Sequence, residues 1–295
     1  PVRGQGYRGR FGGPGFDQMF TDMSEIVRPS RDGIHGRELI GTSVDLGSKP
    51  MRLTFDNSGS ILNAPKMMTI QVPFIYAPPP DAVASGIVPE ILVEAAGKVD
   101  TLVFLPENTV TAQGLAGENV VPIIAPTRIG NIESHGNGTR MVEMSSWNFD
   151  AWNQVKEHPL LVSVQLPLSG DWKNTMMEMI DNGVSIIHLI SDYHGESEDG
   201  GFIMDLYQEA HFALVEKGCR DEVTLLGTGG IAGADHLPKA IITGMDAVGL
   251  DLPLLIAMQA RLTGDTKTRG GPGVKLPRGL DKEWGVQRIL NLSCS

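Results

Sequence analysis

From Thr69 onward the chain alternates short runs of β-branched and aliphatic residues with longer polar or amphipathic stretches, and each apolar run ends in Pro, Gly, Ser or Asp. Eight runs read as strands: Ile70–Tyr76, Thr101–Leu105, Val120–Ala125, Met141–Ser145, Leu160–Leu166, Ser185–Ser191, Val223–Leu226 and Ala247–Leu250. Most are continuous apolar stretches, as in Ile186-Ile187-His188-Leu189-Ile190, which is the pattern of parallel strands covered on both faces. Between the later runs the spacing predicts helices over Trp172–Asn182, Phe202–Lys217, Ala234–Thr243 and Pro253–Leu262. Gly183, Gly218 and Gly244 close the first three, and a proline opens the last. Strand and helix alternating through eight strands predicts an α/β fold, a (β/α)8 TIM barrel. Between strands three, four and five good helix formers are few, so an irregular barrel or a doubly wound sheet stays open.

A length of 295 residues fits one such barrel with additions. The expected division is an N-terminal arm and extension over 1–66 packed on the barrel, the barrel over 67–265, and a C-terminal tail with the start of a helix over 266–295. Arg3, Arg8 and Arg10 stand among six glycines in residues 1–16 with no acid, the composition of an arm. The chain begins without Met and stops inside a helical pattern running from Glu283, so a piece of a longer polypeptide is expected.

Charge and cysteine content narrow the function classes. The net charge of −11 gives no general reason to bind nucleic acid or an anionic membrane. Two cysteines, Cys219 and Cys294, form no CxxC and cannot make a four-cysteine zinc or iron–sulfur site; no metal is expected, and a reduced cytoplasm is the default. No apolar run approaches the roughly 18 residues of a membrane span.

The sharpest chemical signal is Val223-Thr-Leu-Leu-Gly227-Thr228-Gly229-Gly230-Ile231-Ala232, an apolar strand running into a glycine cluster and then a helix. Glycines there let a ligand approach the backbone and leave N–H groups free for an anion. Gly227-x-Gly229-x-x-Ala232 also satisfies a dinucleotide fingerprint, with Asp251 ending the next strand. That fold needs several more strand–helix units, however, and only 44 residues follow Asp251. The turn therefore opens the seventh unit of eight. In a barrel the loops after strands seven and eight converge on phosphate, so Gly227, Thr228, Gly229, Gly230, Gly249 and Leu250 are the candidate cofactor-binding residues, suited to FMN or a phosphorylated substrate.

Glu209-Ala-His211, Val215-Glu-Lys-Gly-Cys-Arg220-Asp221-Glu-Val223, Gly229-Gly230-Ile231, Lys239-Ala and Pro253-Leu-Leu-Ile-Ala257 resemble, in order and spacing, the end of the FMN-binding barrel of glutamate synthase. The block from Met23 to Glu38, with Arg28, Arg31, His35 and Arg37, is similar to the N-terminal signature of shorter glutamate synthase-like flavoproteins of archaea and anaerobic bacteria. The resemblance implies FMN, electrons from an iron–sulfur or flavin partner subunit or domain, a small organic substrate such as 2-oxoglutarate or an imino acid, and assembly into an oligomer or complex.

The departures are specific. Where the family has a lysine on strand five near the flavin, Val162-Ser-Val-Gln165-Leu166 has a neutral amide, which weakens stabilisation of an anionic reduced flavin. The family's glycine-rich loop after strand six is replaced by Ser191-Asp192-Tyr193-His194-Gly195-Glu196-Ser-Glu198-Asp199, an acidic loop poorly suited to grip a dicarboxylate. Gln165, Ser191, Asp192 and His194 are the candidate catalytic residues. The alternative from another class is a barrel that has lost its chemistry and serves as a structural or docking subunit of a redox complex. His188 reads as a hydrogen-bonded core histidine, His211 as a capping or packing residue, and the Arg3, Arg8 and Arg10 arm as the segment that holds an electron donor.

Overall fold

The computed structural model describes residues 42–294 except 49–52, 63, 65, 136–137, 265, 268 and 270. The expected docking arm at Arg3, Arg8 and Arg10 and the cluster of Arg28, Arg31, His35 and Arg37 lie outside the described residues. Two short strands come first, β1 (Val44–Gly47) and β2 (Met67–Ile70), paired as an antiparallel hairpin. Eight parallel strands then form a closed barrel: β3 (Phe74–Tyr76), β4 (Val103–Pro106), β5 (Val120–Ile124), β6 (Met141–Met144), β7 (Leu161–Pro167), β8 (Ile186–Ile190), β9 (Thr224–Thr228) and β10 (Ala247–Leu250). Closure comes from β10, which pairs with β9 on one side and β3 on the other. That pairing excludes the doubly wound sheet.

The eight expected strands are the eight barrel strands, with one correction. The run Ile70–Tyr76 is not one strand, because Gln71-Val72-Pro73 separates the end of β2 from the start of β3. Proline cannot donate to a ladder, and the chain changes sheets there.

Inward and outward positions alternate along every barrel strand. Ile75, Phe104, Val121, Met141, Leu161, Ile186, Leu226 and Ala247 point inward and form one buried cluster with Leu46, Met68 and Ile70 of the hairpin. Tyr76, Val103, Leu105, Val142, Val164, Ile187, Leu225 and Val248 point outward into the helical layer. The hairpin closes the N-terminal end of the barrel, where the Thr224 hydroxyl accepts from the Gly47 N–H at 3.1 Å and donates to the Gly47 carbonyl at 3.2 Å. Ligands must therefore approach from the opposite, C-terminal end.

The outer layer comprises α1 (Ile87–Val99), α2 (Glu107–Gln113), a 3-10 stretch (Pro126–His135), α3 (Phe149–Val155), α4 (Trp172–Asp181), α5 (Ile203–Lys217), α6 (His236–Ile242), α7 (Leu252–Ala257) and α8 (Lys282–Ser293). The thin helix pattern between strands three and five corresponds to the 3-10 stretch and the seven-residue α3. The helix expected over Pro253–Leu262 stops early at Ala257. Gln259 turns left-handed at φ 58°, and the chain leaves as the hairpin β11 (Arg261–Thr263) and β12 (Gly273–Lys275).

The helix α8 completes the ring. It packs on α1 so closely that a Cβ on Gly285 would lie 2.4 Å from Ile91 Cδ1, and the Ser293 hydroxyl sits 2.7 Å from the Tyr76 hydroxyl. No helix among the described residues is long and apolar enough to cross a membrane.

Candidate functional site

Below the mouth, the barrel interior turns from apolar to polar. Strands β6, β7, β8 and β9 project Glu143, Ser163, Gln165, His188 and Thr228 inward, and Glu143, Ser163, His188 and Thr228 are buried. Gln165 Nε2 donates to Glu143 Oε2 at 2.6 Å. The other carboxylate oxygen lies 2.7 Å from His188 Nδ1 and accepts the Ser163 hydroxyl at 3.3 Å. His188 Nε2 lies 2.6 Å from Thr228 Oγ1, and the Phe104 ring meets the imidazole edge-on at 5.5 Å. His188 is thus bonded through both nitrogens, as read from sequence. Glu143 thus holds the Gln165 amide by its NH2.

The loop after β8 is built on its own polar groups. Asp192 Oδ1 accepts the N–H groups of His194 at 2.8 Å and Glu196 at 2.7 Å, which places this acid in the turn itself. The Ser191 hydroxyl donates to the Asp192 carbonyl at 3.3 Å and to the Thr228 carbonyl at 3.4 Å. His194 Nε2 bonds the Thr266 hydroxyl. Gln165 and Ser191 therefore share the mouth, whereas His194 faces the segment after β11. Among the described residues no group of three His, Cys, Asp or Glu side chains is arranged to hold a metal ion.

The glycines after β9 divide by direction. A Cβ on Gly227 would lie 2.4 Å from the Tyr207 hydroxyl, so this residue faces α5. Gly229 (φ 125°) and Gly230 (φ 68°) turn at the mouth, where added Cβ atoms would lie 2.0 Å from Ser191 Oγ and 2.9 Å from Gly195 Cα. Only glycine fits both turns. Gly230 and Ile231 are buried, and among the described residues their N–H groups have no acceptor. Two adjacent backbone N–H groups without a protein acceptor at the end of a strand are suited to an anion.

In the loop after β10 the two expected residues point to opposite sides of the strand. Gly249 faces inward, where a Cβ would come within 1.8 Å of Thr228 Oγ1, and Leu250 packs outward into the helical layer. Asp251 follows, with its side chain 1% exposed; Oδ1 accepts the Leu252 N–H at 2.6 Å, capping α7, and Oδ2 accepts from Arg269 Nη2 at 2.8 Å. Burial pushes the Asp251 carboxyl up, against the opposing pull of Arg269.

Above β7 and β8 lies a cleft of about 500 Å³, the size of an ordinary small-molecule site, lined by Ser169, Ser191, Glu196, Glu198, Lys267 and Arg269 among others.

No protein-family model matches the chain, nor does any curated protein sequence. Solved structures do match. A mandelate oxidase mutant with the monooxide FMN adduct aligns over 85% of this chain and 80% of its own, at 16% identity and TM-score 0.53. Mandelate oxidase with (S)-2-phenylpropionate covers 85% and 78% at 15% identity and TM-score 0.53, and the benzoyl-formic acid complex covers the same shares at 15% and 0.51. The likeness is one of fold.

Glu143, Lys267 and Arg269 carry no signal that sequence reading picked out. Glu143 is a lone acid in an apolar strand on the inward parity, which is a usable signal once the barrel is assumed. The two cations lie in a Gly/Thr-rich stretch that reads as a tail.

Proposed function

We propose that this chain is an FMN-dependent oxidoreductase acting on a small organic substrate, glutamate synthase-like in taking electrons from an iron–sulfur or flavin partner. The observation that carries the reading is the pair of adjacent N–H groups of Gly230 and Ile231 just past the end of β9, which have no acceptor among the described residues. They fit a phosphate at the place where barrels of this class hold one. The FMN adduct carried by the mandelate oxidase neighbour supports the choice of cofactor.

In this reading Gly229, Gly230 and Ile231 hold the phosphate by backbone, and Gln165, held by its NH2 on Glu143, has its amide oxygen left to accept from a ligand. When bound, FMN supplies the exchange of electrons between substrate and donor. The remaining work falls to the chain's own side chains. Glu143 and His188 lock Gln165 in one orientation, so it presents an acceptor and selects a ligand edge that donates. Ser191 and Asp192 hold the loop that walls the cleft. Lys267 and Arg269 line that cleft together with Glu196 and Glu198, so a substrate with a single negative charge is accommodated better than a dicarboxylate.

The test is anaerobic: the purified protein's bound flavin is photoreduced and mixed with small oxo and imino acids and with artificial acceptors, and the oxidised flavin is mixed separately with hydroxy acids. Turnover of the flavin by one class of organic acid supports the reading. A well-folded barrel that holds no flavin favours the structural or docking alternative.

A further inference from the structure

Arg269 lies between β11 and β12, in sequence far from every barrel strand, yet it is fixed at the mouth from three directions. Its Nε donates to the Ser191 carbonyl, Nη2 donates to Asp251 Oδ2 at 2.8 Å, and the guanidinium lies 4.8 Å above the Tyr193 ring. Both anchors are buried: Tyr193 is 1% exposed and the Asp251 side chain 1%. Nη2 also lies 3.1 Å from where a Cβ of Gly229 would sit, so the guanidinium packs against the backbone beside the free N–H of Gly230.

A guanidinium has five N–H donors in a rigid fork. Ser191 and Asp251 take one edge, Asp192 adds a long contact of 3.5 Å, and no protein acceptor among the described residues is bonded to Nη1. Arg269 also lines the cleft. A buried ion pair by itself contributes little net stability, because desolvation offsets the attraction. An arginine locked on one edge, with the other edge unused at a cleft, has already lost the side-chain entropy that anion binding would cost.

We propose that Arg269 is the side-chain ligand for an oxyanion bound at the mouth, a phosphate ester or a carboxylate, and that it makes ligands bearing that group preferred over neutral counterparts. Asp251 positions it. The phosphate source rests on the flavin reading; the carboxylate source does not.

The purified chain, Arg269→Gln and Asp251→Asn are titrated with FMN and riboflavin by fluorescence, and with inorganic phosphate and pyruvate by thermal shift. Wild type is expected to bind FMN at least tenfold more tightly than riboflavin, and Arg269→Gln to erase that preference while riboflavin binding stays unchanged. Should the flavin preference survive but stabilisation by pyruvate vanish, the oxyanion is the substrate's carboxylate and the proposal stands. Should wild type bind neither flavin yet be stabilised by phosphate in an Arg269-dependent way, the flavin reading falls and the proposal stands. Equal behaviour of wild type and Arg269→Gln toward all four probes overturns it, as does wild type responding to none. If Arg269→Gln fails to fold, Asp251→Asn decides: with one oxygen it cannot accept from both the Leu252 N–H and Arg269 Nη2, so it loosens the arginine and should weaken oxyanion binding several-fold, and unchanged or tighter binding counts against the proposal.

Discussion

Replacing His188 with leucine removes the centre of the interior polar layer while keeping an apolar group of similar bulk. Glu143 keeps its bonds from Gln165 and Ser163 but loses the imidazole 2.7 Å away, and the buried Thr228 hydroxyl loses its partner at 2.6 Å. The Thr228 hydroxyl is left buried without a partner, at about 1–3 kcal/mol. The hydrogen bond that the Glu143 carboxyl loses adds about 1–3 kcal/mol, for about 2–6 kcal/mol together. For a chain of this size about 2–4 °C of melting temperature is lost per kcal/mol, so the expected drop is roughly 4–24 °C. The assay is urea unfolding of wild type, His188→Leu, Glu143→Leu and the double variant. Because the two side chains share one bond, the double variant should cost less than the sum of the singles, by about 0.5–3 kcal/mol. Singles that each cost under about 1 kcal/mol, or strict additivity, would refute the view that these residues form one unit.

Gly249→Ala drives a Cβ to within 1.8 Å of Thr228 Oγ1 inside a closed barrel, and should destabilise by at least about 1–3 kcal/mol, read as a lowered urea midpoint. Gly230→Ala meets backbone at Gly195 and must hold φ 68°, so it should weaken flavin retention more than it lowers the melting temperature, checked by cofactor content after gel filtration. His211 accepts from Arg220 Nε at 3.1 Å, and burial first, then the Arg220 charge, holds its imidazole below the ordinary 6.5. A depressed histidine contributes stability that is complete above that value and is lost as pH falls through the folded-state value. The stability difference between wild type and His211→Gln should therefore shrink from about pH 7.5 to about pH 5, and a constant difference across that range would contradict the assignment.

The barrel was legible because strands covered on both faces read as continuous apolar runs, and Gly183, Gly218 and Gly244 punctuate the helices between them. Legibility failed where a short range of sequence carries two structures. Ile70 to Tyr76 is one apolar run interrupted by a proline, and only pairing with Val44–Gly47 shows that its first residue belongs to a separate hairpin. The helix after Asp251 continues in propensity past Ala257, but the left-handed Gln259 sends the chain into β11. Site chemistry was legible where backbone decides, as at Gly229 and Gly230. It was hidden where partners are distant: Glu143 meets His188 across 45 positions, and Arg269 meets Ser191 across 78. Such pairs depend on strand register and on a loop crossing the mouth, neither of which a local pattern encodes.

The central claim is that the mouth beside Gly229, Gly230 and Ile231 holds FMN. It is tested most directly by the absorbance spectrum of the purified protein, with mass spectrometry of the small molecule released on denaturation, repeated after incubation with excess FMN and gel filtration. The account predicts a flavin spectrum and the mass of FMN at close to one per chain, before or after reconstitution. A folded protein that yields no flavin and retains none after reconstitution would contradict it.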